Sequence, residues 1–124
     1  VEILEAKPED IPALIHKMDA SAFFLKPLFS KQASAPTKLG EFLASGIPCL
    51  TNDGVGDMGD ILRLGGAGII IQELNKDSIR KGINGLIELT QQKDIIIKCR
   101  ETASLNFSLS NGIASYSRIY NSLL

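Results

Sequence analysis

The sequence predicts an α/β fold in which a parallel sheet is covered by helices on both faces. Three short runs, Ala20–Leu25, Ile47–Thr51 and Ala67–Ile71, are nearly all apolar, and segments of helical period separate and follow them. Strands that are apolar on both alternate positions belong to sheets buried on both sides, which is the parallel arrangement. No internal repeat or low-complexity tract competes with that reading.

The elements follow in chain order. Val1–Leu4 reads as a strand. Pro8, Glu9 and Asp10 open a helix whose apolar positions Ile11, Leu14, Ile15 and Met18 keep the helical period. Asp19 and Pro27 bound the Ala20–Leu25 strand, and Lys26–Ala35 is a loop. A helix over Pro36–Ser45 ends at Gly46, as a C-terminal glycine should end one. Pro48 lies at the entrance of the Ile47–Thr51 strand, where proline is tolerated. A glycine-rich turn leads to a short helix around Met58–Leu64, and Ala67–Ile71 is the next strand. Ile79, Ile83, Leu86 and Ile87 make Ser78–Thr90 amphipathic, and a further helix runs from about Lys93 to Ala103. The last helix gathers Leu109, Ile113, Tyr116, Tyr120 and Leu123 on one face, with Ser108 or Ser110 as its cap.

Composition narrows the function. A chain of 124 residues is one domain and buries about two-thirds of its unfolded surface. Thirteen basic residues against 14 acidic ones leave a net charge of −1 with no basic cluster, which argues against nucleic acid as a partner. The longest apolar runs are five residues or fewer, too short for a transmembrane span. Cys49 and Cys99 have no paired or metal-ligand spacing, which suits a reducing cytoplasm. His16, the only histidine, falls on the polar side of its helix, so no metal site needing two imidazoles is available.

The most informative stretch is Ser34-Ala35-Pro36-Thr37-Lys38-Leu39-Gly40-Glu41. Ser34 is a natural cap and Pro36 suits the first turn, where a missing N–H costs nothing. Lys38 is the odd residue, because a cation in the first turn opposes the positive end of the helix. Open backbone N–H groups, a hydroxyl and an ammonium together describe an anion site. On a helical wheel Phe42 and Leu43 fall within about 60° of Leu39, while Thr37, Lys38, Glu41 and Ser45 gather opposite. Gly40 and Ala44 lie between and permit close approach of a backbone or ligand. Phosphate at the helix start and vicinal hydroxyls on Glu41 would fit a nucleoside diphosphate. A solvated face with Lys38 paired to Glu41 is the alternative.

Gly54-Val55-Gly56-Asp57-Met58-Gly59 matches G-x-G-x-x-G after a strand, and Glu73 lies roughly where a ribose-binding acid should be. Here, however, the pattern follows a later strand than the first, and Asp57 and Asp60 would repel a pyrophosphate. A flexible turn above the strand ends fits better.

From Pro27 through Ser34–Pro48 to Gly54-Val55-Gly56-Asp57, the chain resembles the C-terminal donor-binding domain of group 1 (family 4-like) glycosyltransferases. Phe107-Ser108-Leu109, Tyr116, Ile119-Tyr120 and Leu123-Leu124 are similar to the closing helix of that domain. The resemblance covers the chain from about Asp19 onward. It implies a Rossmann-like parallel sheet with helices on both faces, part of the C-terminal half of a type-B glycosyltransferase. Residues 1–124 would then be a nucleotide-sugar-binding domain, a fragment without the first strand–helix units and without the acceptor domain. Val1–Leu4 would be the third strand of a 3-2-1-4-5-6 sheet, with its place in this chain unassigned.

The resemblance further implies that Ser34, Pro36, Thr37 and Lys38 hold the diphosphate of a nucleoside diphosphate sugar and that Glu41 contacts its ribose. It implies no metal ion or other cofactor. Glu41 matches the second acid of the family's E-x7-E motif, but Ala33 stands where the first would be. Sugar-hydroxyl recognition by that first carboxylate is therefore not carried over, and no catalytic residue is assigned. A sugar or lipid-linked acceptor would bind through the missing domain, in polysaccharide or glycolipid synthesis. A cytoplasmic protein is implied, compatible with peripheral association of the parent at the inner membrane face. Two other classes stay open: a nicotinamide-dependent oxidoreductase using the 54–59 turn, and a non-catalytic α/β interaction domain.

Overall fold

The computed structural model describes residues 1–34 and 36–124; Ala35, the last residue of the expected loop, lies outside them. Its three strands, β1 (Ser21–Ala22), β2 (Cys49–Asn52) and β3 (Gly68–Ile71), form one parallel sheet in the order β1-β2-β3. Ser21 pairs with Cys49, Cys49 with Gly68, and Asn52 with Ile71. Six α-helices accompany the sheet among the described residues: α1 (Ile11–Ile15), α2 (Thr37–Ala44), α3 (Met58–Gly65), α4 (Lys76–Thr90), α5 (Ile95–Phe107) and α6 (Leu109–Leu123).

Alternation along β2 decides the two faces. Cys49 joins Leu39 and Leu43 of α2, Met58 and Leu62 of α3, and Cys99 and Ala103 of α5 in the larger core. Leu50 points the other way and packs with Ile71 and with Leu86 of α4. The expected parallel sheet with helices on both faces is the fold observed. Gly82 allows α4 to lie close, since a Cβ there would meet Leu50 at 2.7 Å. At the end of α2, Gly46 at φ +83° donates to Leu43 at 2.9 Å while Ile47 donates to Phe42 at 2.9 Å. That pair of bonds closes the helix as its glycine predicted.

Four expectations are corrected. Val1–Leu4 is not a strand: the three strands pair with one another only, and an extended segment without a ladder partner stays irregular. The first helix is a 3-10 turn, Pro8–Asp10, followed by the five-residue α1, because Pro12 has no N–H for the helical ladder. The first paired strand spans two residues, although Phe23 N–H still bonds Leu50 at 3.1 Å. The expected 26–35 loop contains a 3-10 turn at Phe29–Lys31. Helix α6 forms where expected and Ser108 caps it, accepting from the Asn111 amide at 3.3 Å, yet none of its residues is buried.

Burial governs both thiols. It pushes Cys49 up to about 12, partly offset by the Ser21 hydroxyl that donates to its Sγ at 3.1 Å, and Cys99 up to about 11. Both cysteines should therefore resist Ellman's reagent in the native protein at pH 8 and react only in denaturant. Equal thiol counts with and without denaturant would contradict this packing.

Candidate functional site

In a parallel sheet, the loops after the strands and the starts of the following helices share one edge, where open α/β sheets bind ligands. Here that edge carries the segment after β1 leading to α2, the 53–57 turn leading to α3, and the residues between β3 and α4. Because β1 and β2 are neighbours in the sheet, the loop leading to α2 lies beside the glycine turn.

Pro36, with φ −65° and ψ 113°, is the N-cap residue of α2, and no side chain among the described residues caps the helix. Ser34 is therefore not the cap expected from the sequence. Its amide bonds the Lys31 carbonyl at 3.1 Å, and its own carbonyl packs against Gly56. A helix start leaves four N–H groups without intrahelical partners. At this one Pro36 has no N–H to leave, and Leu39 N–H turns back to the Pro36 carbonyl at 3.1 Å. The amides of Thr37 and Lys38 have no acceptor among the described residues and lie at the positive end of α2, the helix end that favours an anion.

The exposed side of α2 borders two grooves. One, of about 620 Å³, lies between α2 and α5 and is lined by Thr37, Glu41, Ala44, Arg100 and Phe107 among others. The other, of about 910 Å³, runs between α2 and the N-terminal segment, with Lys38, Glu41, Phe42 and Ser45 on one wall and Phe23 and Ile15 among the rest. Lys38 and Glu41 thus border the same groove, Thr37 borders the other, and Glu41 serves both. No ion pair joins Lys38 to Glu41 among the described residues. Ser45 is engaged locally, its hydroxyl donating to the Glu41 carbonyl at 2.9 Å. Gly40 is buried, and a Cβ there would stand 3.0 Å from the Phe107 ring. The close approach expected beside Gly40 is made by α5.

The glycine turn is shaped by its own neighbours. Gly54 has φ +82° and Gly56 φ +51°, and a Cβ on Gly56 would lie 2.0 Å from the Ser34 carbonyl oxygen. Gly59 faces the Asp53 carboxylate, where a Cβ would stand 2.7 Å from Oδ1. Chain packing within the protein accounts for all three glycines. Glu73, the residue at the ribose-acid spacing, is exposed and accepts from Asn75 Nδ2 at 2.9 Å.

Two residues at this edge escaped the sequence reading. Buried Asn52, at the end of β2, accepts the Leu25 amide at 2.8 Å and donates to the Leu25 carbonyl at 2.8 Å. Asp53 accepts from Gln72 Nε2 at 3.0 Å and from the Gly54 amide at 2.9 Å, and pairs with Arg63. Those partners, Gln72 first, hold its carboxyl below the usual aspartate range. The sequence signal for both was Asn-Asp-Gly immediately after an apolar strand, where short polar side chains bind nearby backbone.

The family model described as glycosyl transferases group 1 matches residues 1–102, most of the chain. The chain belongs to that family. Comparison with curated proteins and with solved structures returns no match. The family match begins at Val1 and ends within α5, so α6 and its resemblance to a closing helix lie beyond it. No helix among the described residues is long and apolar enough to cross a membrane.

Proposed function

We propose that this chain is the nucleotide-sugar-binding part of a larger glycosyltransferase and that the start of α2 receives the donor's diphosphate. A basic helix start at the carboxyl edge of a parallel sheet, with Thr37 and Lys38 amides that have no acceptor among the described residues, carries the reading. Thr37 and Lys38 contribute those amides, Lys38 adds its ammonium, and Pro36 sets the direction of entry. Ser34 contributes through the loop it closes against Gly56. Glu41, one turn on and bordering the same groove as Lys38, accepts hydrogen bonds from the ribose hydroxyls.

Transfer breaks the bond between the sugar's anomeric carbon and the diphosphate oxygen, and the oxygen of a sugar or lipid-linked hydroxyl forms the new bond as its proton passes to the departing diphosphate. Negative charge grows on the departing nucleoside diphosphate. The positive end of α2 and Lys38 stabilise it where it develops, with no metal required. The acceptor binds through a domain outside this chain, and the products belong to polysaccharide or glycolipid synthesis on the cytoplasmic side.

Uridine or guanosine diphosphate should raise the melting temperature of the protein more than NAD does, because ligand that binds only the native state stabilises it by mass action. Preferential stabilisation by NAD would instead favour an oxidoreductase built on the 54–59 turn.

A further inference from the structure

We propose that Asp53 is a positioning residue for the start of α2: it holds the glycine turn, and that turn holds the loop that delivers the helix. The relevance to donor binding rests on the reading above. The turn meets the loop after β1 at two places. Gly54 lies against Pro27, where a Cβ would stand 3.2 Å from the proline Cβ. Gly56 donates its amide to the Lys31 carbonyl at 3.1 Å and lies beneath the Ser34 carbonyl, two residues before the Pro36 cap. No side chain among the described residues caps α2, and the loop before it rests on the turn at Gly56.

Asp53 fixes the turn from three directions. Its carboxylate takes the Gly54 amide at 2.9 Å within the turn, Gln72 Nε2 at 3.0 Å from the residue after β3, and the Arg63 guanidinium from α3. Arg63 also reaches Asp60 at 3.0 Å, and the Asp53 amide is held by the Ile71 carbonyl at 2.9 Å. The carboxylate thereby links the segments after β2 and β3 to α3, and the turn it holds is what meets the loop after β1. An isolated exposed pair would contribute little, but this carboxylate also fixes a backbone amide in the turn.

The test is amide hydrogen exchange on Asp53→Ala, with Asp77→Ala as the control for a plain surface pair, since among the described residues the Asp77 carboxylate pairs with Arg80 alone, at 3.0 Å on α4. In Asp53→Ala the amides of Gly56 and Leu39 should exchange about tenfold faster, while those of Phe23 and Cys49 in the sheet keep wild-type rates. Titration with uridine and guanosine diphosphate should show weaker binding by a similar factor. In the parent enzyme the donor KM should rise with kcat within about twofold. Unchanged exchange at Leu39, or an equal rise at Phe23 and Cys49, would overturn the proposal. Faster exchange at Leu39 with undiminished nucleotide affinity would also overturn it, leaving Asp53 a brace alone. If wild type binds neither nucleotide, the donor-site reading fails, and the exchange arm still decides whether Asp53 sets the helix start.

Discussion

Lys38→Ala in the parent enzyme should weaken donor binding or turnover by about 10- to 100-fold, because a charged hydrogen bond to phosphate contributes about 1.5–3 kcal/mol. The same change should leave the denaturation midpoint unaltered or slightly higher. Lys38 is exposed, forms no ion pair among the described residues, and places a cation against the positive end of α2. Glu41→Ala separates the two readings of this face from the other side. Its backbone carbonyl, not its carboxylate, holds Ser45, so truncation leaves that bond in place. Stability should change little while nucleotide affinity falls. Wild-type kinetics in both variants would reduce this face of α2 to a solvated surface and remove the donor-site reading.

The fold was legible because its signals are local. Apolar runs at β2 and β3, the helical period of α4 and the glycine after α2 each lie within one element, and each is found within a few residues of its expected limits. Val1–Leu4 failed because being a strand depends on a partner strand, and its own apolar side chains cannot specify one. At the candidate site, the basic helix start was visible as Pro36-Thr37-Lys38, but its lack of a cap was not. Ser34 has the chemistry of a cap, and only the contact with Gly56, 22 positions away, shows where its backbone goes. Asn52 and Asp53 are similar cases: their partners Leu25, Arg63 and Gln72 are distant in sequence, so no period announces them. Gly40 was legible as a site of close approach, but the approaching group, Phe107, lies on a helix five elements further on.

Gly56→Ala should destabilise the protein by about 2–5 kcal/mol, read as a lower denaturation midpoint at unchanged m. Two costs combine. A left-handed φ of +51° disfavours any side chain by about 1–2 kcal/mol. The new Cβ also meets the Ser34 carbonyl oxygen at 2.0 Å, and relieving an overlap with backbone costs about 1–3 kcal/mol in a packed site. Gly40→Ala is the informative contrast. Its Cβ would meet the Phe107 side chain at 3.0–3.3 Å, which is half-buried and able to shift. Alanine also favours a helix by about 1 kcal/mol over glycine, so the net change should stay below about 1 kcal/mol in either direction. A dinucleotide-binding turn would give a different result at position 56, because its glycine would face a ligand rather than Ser34. Small stability loss in Gly56→Ala would mean that the turn does not press on the loop before α2. The coupling between the glycine turn and the donor helix would then be lost, and Asp53 would have nothing to transmit.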